Sequence, residues 1–210
     1  MTDTPTVFLV DDDHSVLSAL SRLMRAAGFN TASFSSAEEF LAAEHDASAG
    51  CLVLDVNMPG LGGVGLQQIL IERKCTLPII FLTGEGDIGM GVHAMKVGAA
   101  DFLTKPVDQE VLFGAVRAAI EKNRRTRIDH AALHEIEHRL STLTPREREV
   151  LSLVVSGQLN KQIASTIGTV EKTVKVHRAR VMAKMKVDSF ADLVRMADRA
   201  GIESGPVESP

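Results

Sequence analysis

Four short apolar runs mark the first half of the chain: TVFLV at 6–10, CLVL at 51–54, IIFL at 79–82 and FL at 102–103. Runs without polar alternation predict strands buried on both faces of a parallel sheet. A further strand is expected near 31–34. Between the strands, apolar residues recur at helical spacing. A helix over 14–27 presents Val16, Leu17, Leu20, Leu23 and Met24 on one face, and Gly28 closes it as a left-handed cap. SAEE at 36–39 reads as a helix start with a capping box. Further helices are expected over 64–72, over 88–97 with Gly98 as the stop, and from about Asp108 onward. Five β/α alternations in about 120 residues predict an α/β fold with a doubly wound, five-stranded parallel sheet.

Gly86, Gly89 and Gly91 crowd the entrance of the 88–97 helix. They fit either a loop with a late helix start or a segment that reorganises between two states, because glycine disfavours helix interiors by about 1 kcal/mol.

No Pro or Gly interrupts 115–144, so 122–141 is expected to be a helical linker following a first domain over 1–121. The spacing of Leu133, Ile136, Leu140 and Leu143 spans under two heptads, which favours packing on the second domain over a coiled coil. That second domain is expected over 142–201 as a small all-α unit of four helices. Thr144-Pro145-x-Glu147 starts the first as a capping box with Pro at the first helical position. Val150, Leu151, Val154 and Val155 form its inner face, and Gly157 ends it. A second helix covers 160–167. Thr169 is expected to cap a third running to 185, and Ser189 a fourth running to 199. Two short helices joined by a Gly-containing turn are the helix-turn-helix plan. The polar residues 202–210 read as a disordered tail.

Composition narrows the classes. No apolar run approaches the ~20 residues of a membrane span, and no basic-then-apolar leader opens the chain. Cys51 and Cys75 make no disulfide framework and are expected in or near the core. A cytoplasmic protein with no membrane partner is expected. The net charge of −4 conceals an asymmetry. Residues 1–140 hold 12 Lys and Arg against 19 Asp and Glu, while 141–210 hold 11 against 8. An acidic front half suits a cation site, and a basic back half suits a polyanion.

The strand ends carry the chemistry. In chain order they deliver Asp11, Asp12 and Asp13, then Asp55, then Thr83, then Lys105. A parallel sheet would bring all of them to its carboxyl edge, where open α/β folds place their sites. Clustered carboxylates repel unless a cation relieves them. Mg2+ suits such an oxygen-only site, with Asp12 and Asp55 as direct ligands, Asp11 acting through water, and the Asn57 carbonyl completing the protein share. Asp55 can also act as a nucleophile toward phosphorus. Lys105 supplies a point charge and Thr83 a hydroxyl for a phosphoryl oxygen.

VDDD at 10–13, LDVNMPG at 54–60, TGEGD at 83–87 and DFLTKP at 101–106 together resemble the receiver domain of two-component response regulators. The resemblance implies a sheet order of 2-1-3-4-5, Asp55 as phosphoacceptor, Asp11 and Asp12 as the acid pair, and Thr83, Lys105 and Phe102 as switch groups. LTPREREVL at 143–151, GQLNKQIA at 157–164 and KTVKVH at 172–177 resemble the LuxR-type DNA-binding domain. That resemblance implies a third helix in the major groove. Lys175 and Val176 would contact bases, and Thr173, Arg178 and Lys161 phosphates. Lys172 joins them on a basic face that also holds Lys175, Arg178, Arg180 and Lys184. The combination is similar to the FixJ/NarL class of response regulator. It implies a sensor histidine kinase and promoter DNA as partners, a homodimer on phosphorylation, RNA polymerase as a further partner, and no enzymatic role.

Three alternatives stand beside this reading. A carboxylate-nucleophile phosphatase would show a D-x-D-x-T run, which Asp55-Val-Asn57 lacks. A DNA-binding regulator whose receiver serves only as a dimerisation scaffold would keep every motif above. A ligand-sensing domain fits poorly, since the chain has no Trp or Tyr to line an apolar pocket.

Overall fold

The computed structural model describes residues 5–43, 49–84 and 94–202. The chain divides into two units, Met1–Ile128 and Asp129–Pro210. In the first, β1 (Thr6–Val10), β2 (Asn30–Phe34), β3 (Gly50–Asp55), β4 (Ile79–Thr83) and β5 (Asp101–Thr104) form one parallel sheet in the order β2-β1-β3-β4-β5. Every residue of β3 and β4 is buried, as unbroken apolar runs require. Alternate side chains feed two cores. Leu52 and Leu54 of β3 join Phe8, Phe40 and Leu66 on one face, while Cys51 and Val53 join Leu17, Met24 and Leu112 on the other.

The helices α1 (His14–Ala26), α2 (Ala37–Ala42) and α3 (Gly62–Glu72) follow in chain order and pack against the sheet. Asp13 caps α1, and Gly28 follows it at φ +90°. Residues 94–96 are helical and Gly98 stands at φ +107°, whereas the three glycines at 86, 89 and 91 lie outside the described residues. The next helix, α4 (Gln109–Ser141), runs unbroken through the expected linker. Its buried Asn123 accepts the Gly50 N–H at 3.1 Å and donates to the Thr76 carbonyl at 2.9 Å, which ties the helix to the amino end of β3.

The second unit packs α5 (Pro145–Val155), α6 (Asn160–Thr166), α7 (Glu171–Met185) and α8 (Phe190–Arg199) around one core. Ile136 and Leu143 are buried in that core with Leu140 packed against it. The Thr144/Glu147 capping box is present in both directions. No helix among the described residues is long and apolar enough to cross a membrane.

Three local expectations need correction. Cys51 is buried, and burial pushes its thiol up to about 12, but Cys75 is exposed. The chain reaches Cys75 through Lys74 at φ +55°, which swings it off the end of α3. Thr169 does not cap α7. The helix starts one residue later than expected, so Val170 takes the cap position and makes no side-chain cap hydrogen bond, while the Thr169 N–H donates to the Ala164 carbonyl at 2.9 Å and closes α6. The box at 36–39 is half formed. Ser36 Oγ accepts the Glu39 N–H at 3.1 Å, but the Glu39 carboxylate accepts from Ser35 N–H at 2.6 Å rather than from Ser36.

Candidate functional site

Pairing register sets the first site. β1 and β3 run level, with Val10 opposite Leu54, so Asp11 and Asp55 leave the sheet side by side. Thr83 lies opposite Thr104, and the Lys105 N–H donates to the Thr83 carbonyl at 2.6 Å. The carboxyl edge therefore gathers Asp11, Asp12, Asp55, Thr83 and Lys105. One carboxylate oxygen from each of Asp11, Asp12 and Asp55 lies within 4.8 Å of the other two. Asp13 is not part of the group, since its carboxylate accepts Ser15 N–H at 2.7 Å as the α1 cap.

Lys105 crosses the site. Its Nζ stands 2.6 Å from Asp11 Oδ2 and 2.7 Å from Asp55 Oδ1. The remaining oxygens accept backbone donors: Asp13 N–H on Asp11 Oδ1 at 2.9 Å and Asn57 N–H on Asp55 Oδ2 at 3.1 Å. Burial pushes the Asp55 carboxyl above its ordinary value. The Lys105 ammonium opposes that shift, and the neighbouring Asp11 and Asp12 reinforce it. Partial burial works against the Lys105 cation, but its hydrogen bonds to Asp11 and Asp55 outweigh this and raise its pKa. The ammonium therefore stays charged while holding two carboxylates that would otherwise repel.

The flanking groups are also in place. Thr83 is fully buried, and its hydroxyl donates to the Gly84 carbonyl at 3.3 Å. Phe102 is half-buried on β5, its ring 6.4 Å from that of Phe81. Asn57 is exposed just beyond Asp55.

The second site is the outer face of α7. Val174, Val181 and Met185 are buried. At about 100° per residue, the opposite face carries Lys172, Val176 and Ala179, flanked by Lys175 and Arg180, and all five are exposed. Thr173 is half-buried beside this face, and Lys161 is exposed on α6. Arg178 and Lys184 stand apart from the other basic residues. Arg178 Nη1 donates to Asn160 Oδ1 at 2.9 Å, with its guanidinium 5.8 Å from the Phe190 ring. Lys184 Nζ sits 2.6 Å from the buried Glu147 carboxylate, whose pKa the hydrogen bond lowers to about 2.

Sequence reasoning missed three polar side chains that fasten elements of the first unit to one another: Asn123, Gln67 and Glu38. Gln67 is buried on α3 and donates to the Ala94 carbonyl at 3.2 Å. Glu38 reaches the Leu61 N–H. A polar residue inside an otherwise apolar helix face was the one local sign of Gln67. Asn123 was hidden in the polar run EKNRRTR.

The chain is similar to known proteins along nearly its whole length. Residues 7–117 match the family model described as response regulator receiver domain, and 141–197 match that for bacterial regulatory proteins of the luxR family. Response regulator protein TodT of Pseudomonas putida is 45% identical over 193 residues, covering 92% of this chain and 85% of TodT. Transcriptional regulatory protein FixJ of Azorhizobium caulinodans is 40% identical over 210 residues, the full length of both chains. Among solved structures, response regulator StyR aligns with a TM-score of 0.85 at 43% identity, covering 93% of this chain and 99% of StyR. Full-length FixJ from B. japonicum aligns with a TM-score of 0.58 at 38% identity, covering 96% of this chain and all of FixJ.

Proposed function

The chain belongs to the response regulators that join a receiver domain to a LuxR-type DNA-binding domain, and on that premise we propose that phosphorylation of Asp55 controls its binding to promoter DNA. Its relatives are transcriptional regulators, which points to a non-enzymatic role. The observation that carries the proposal is the bridge of Lys105 to Asp11 and Asp55, with Asp12 beside them.

In the proposed reaction an Asp55 oxygen attacks the phosphorus of a phosphohistidine on a sensor kinase. The P–N bond breaks, the imidazole leaves and takes up a proton, and an acyl phosphate remains on Asp55. Receiver domains generally bind Mg2+ at such an acidic pocket, and the all-oxygen donor set here fits that ion. Asp12 and Asp55 would hold it directly, the Asn57 carbonyl would complete the protein share, and Asp11 would act through water. Bound there, Mg2+ neutralises charge on the transferring phosphoryl group.

Lys105 turns one of its donors to a phosphoryl oxygen, and the Thr83 hydroxyl moves to another. Phe102 follows into the space that Thr83 releases. Each charged hydrogen bond contributes about 1.5–3 kcal/mol, comparable with typical coupling energies of about 1–3 kcal/mol. The consequence is a homodimer that presents two DNA modules to a two-half-site operator, with RNA polymerase as a further partner. We assign the receiver to 1–121, the linker to 122–141 and the DNA module to 142–201, in a cytoplasmic protein.

On DNA, Lys175 and Val176 contact base edges, a Lys donating to guanine and a Val meeting a thymine methyl. Lys172, Thr173 and Lys161 contact phosphates. Arg178 already commits one guanidinium donor to Asn160 and lies against the Phe190 ring, so it is the least suited of the set.

The test is intact mass and DNA affinity at fixed salt for wild type and Asp55→Asn, each with Mg2+ and a small phosphodonor. A one-phosphoryl gain lost in the variant, with tighter specific binding in wild type, is expected. An adduct that leaves DNA affinity unchanged would leave the receiver as a scaffold and overturn the coupling.

A further inference from the structure

Glu38 and Glu39 stand side by side at the start of α2, and their carboxylates part company. Glu39 turns back to Ser35 and serves its own helix. Glu38 accepts locally from its own N–H and from the Ser36 hydroxyl, and its Oε1 also accepts the N–H of Leu61 at 3.1 Å. Leu61 ends the segment 56–61 that follows Asp55 and carries Asn57. The inner side of this segment is fastened by backbone. Val56 N–H donates to the Leu82 carbonyl at 3.1 Å, and Gly63 N–H to the Val56 carbonyl at 3.1 Å. Glu38 fastens the outer side. The chain bends closely around its carboxylate: Gly60 sits at φ +76°, and a Cβ there would lie 2.8 Å from Glu38 Oε1.

We propose that Glu38 is a positioning residue for the metal ion. Through the Leu61 N–H it holds the segment so that the Asn57 carbonyl stays in place for the ion beside Asp12 and Asp55. This inference rests on the reading of the acidic pocket as a Mg2+ site. Groups that orient metal ligands from outside the coordination sphere typically change affinity about 10–100-fold when removed. Glu38 acts through backbone rather than on a ligand directly, which places it at the low end of that range.

Mg2+ alone would be titrated by calorimetry into the full-length wild type, Glu38→Ala, Glu38→Gln and Glu39→Ala. Phosphorylation rate against Mg2+ concentration would be measured in parallel. Glu38→Ala should raise the Mg2+ dissociation constant about tenfold and leave the rate at saturating Mg2+ unchanged. Glu38→Gln keeps an acceptor oxygen and should stay close to wild type. Glu39→Ala removes only a contact internal to the start of α2 and should titrate as wild type. Wild-type behaviour of Glu38→Ala, or an equal shift in Glu39→Ala, would overturn the assignment. A wild type that binds no Mg2+ overturns both the pocket reading and this one. A wild type that binds Mg2+ but forms no adduct overturns only the phosphoacceptor reading, and the Mg2+ titrations then decide the role of Glu38.

Discussion

A Cβ built on Gly63 would stand 2.2 Å from the carbonyl oxygen of Asp55, so the first turn of α3 presses on the strand end that carries the carboxylate. Both partners in this contact are backbone, and neither can swing aside as a flexible side chain would. Gly63→Ala must therefore push α3 and the exit of β3 apart. Overpacking of this kind costs about 1–3 kcal/mol, and a shift near 1 Å at a reacting group can cost about a hundredfold in rate. We expect the variant to fold with a lowered Tm and to gain the phosphoryl group at least tenfold more slowly, a conservative reading of that figure. Intact-mass time courses beside thermal unfolding would check this. A full rate at lowered Tm would show that the carboxylate tolerates the displacement.

Lys105 is the cation for two carboxylates whose side chains are only 4% and 8% exposed. Lys105→Met leaves them facing each other and Asp12 without it. The loss should cost about 1–3 kcal/mol in the presence of chelator. Mg2+ then has more repulsion to relieve, so its addition should raise the Tm of the variant more than that of wild type. Calorimetric Tm with and without Mg2+ for both proteins measures the difference. Equal increments would mean that Lys105 does not share the site with the ion.

Local pattern was enough to find what the strand ends deliver, because buried parallel strands carry unbroken apolar runs and each stops at a chemically distinctive residue. The 2-1-3-4-5 order was not legible in that pattern and came with the family resemblance. Cap positions were legible where the helix began at the residue that the pattern marked. At Thr144 and Ser189 the caps formed as read, whereas the helix after Gly168 begins one residue late and its cap position falls on Val170, which has no side-chain acceptor. The supporting polar residues were illegible for a different reason. Asn123 to Gly50, Gln67 to Ala94 and Glu38 to Leu61 span 73, 27 and 23 residues. No periodicity within an element encodes which distant backbone group a polar side chain will meet.

Glu147 couples stability of the second unit to pH. Its buried carboxylate accepts from Lys184 at 2.6 Å and from the Thr144 N–H at 2.9 Å, which lowers its pKa from 4.5 to about 2. A group whose folded pKa is depressed contributes fully above its unfolded value and loses that contribution as pH falls through the folded one. The stabilisation is therefore complete above pH 4.5 and fades toward pH 2, with a size on the order of 3 kcal/mol. Urea unfolding followed by circular dichroism across that window should show wild type converging on Glu147→Gln as the pH falls. A gap between the two proteins that does not narrow would assign the stabilisation to packing rather than to charge.

Lys172 and Lys175 are both exposed on α7, yet they should fail differently when removed. A phosphate contact weakens binding alike on every sequence and lowers the salt slope by about one. A base contact costs about 1–3 kcal/mol on the specific operator and relaxes preference at one base pair. Lys172→Ala should follow the first pattern and Lys175→Ala the second. Arg178→Ala gives the contrast. It removes the bond to Asn160 and the contact with Phe190, so it should lower the Tm of the second unit with little change in salt slope. Binding isotherms over a range of salt concentrations, on the operator and on unrelated DNA, separate the three. If Lys175→Ala weakens both DNAs equally, Lys175 touches the backbone and sequence is read elsewhere on the exposed face of α7.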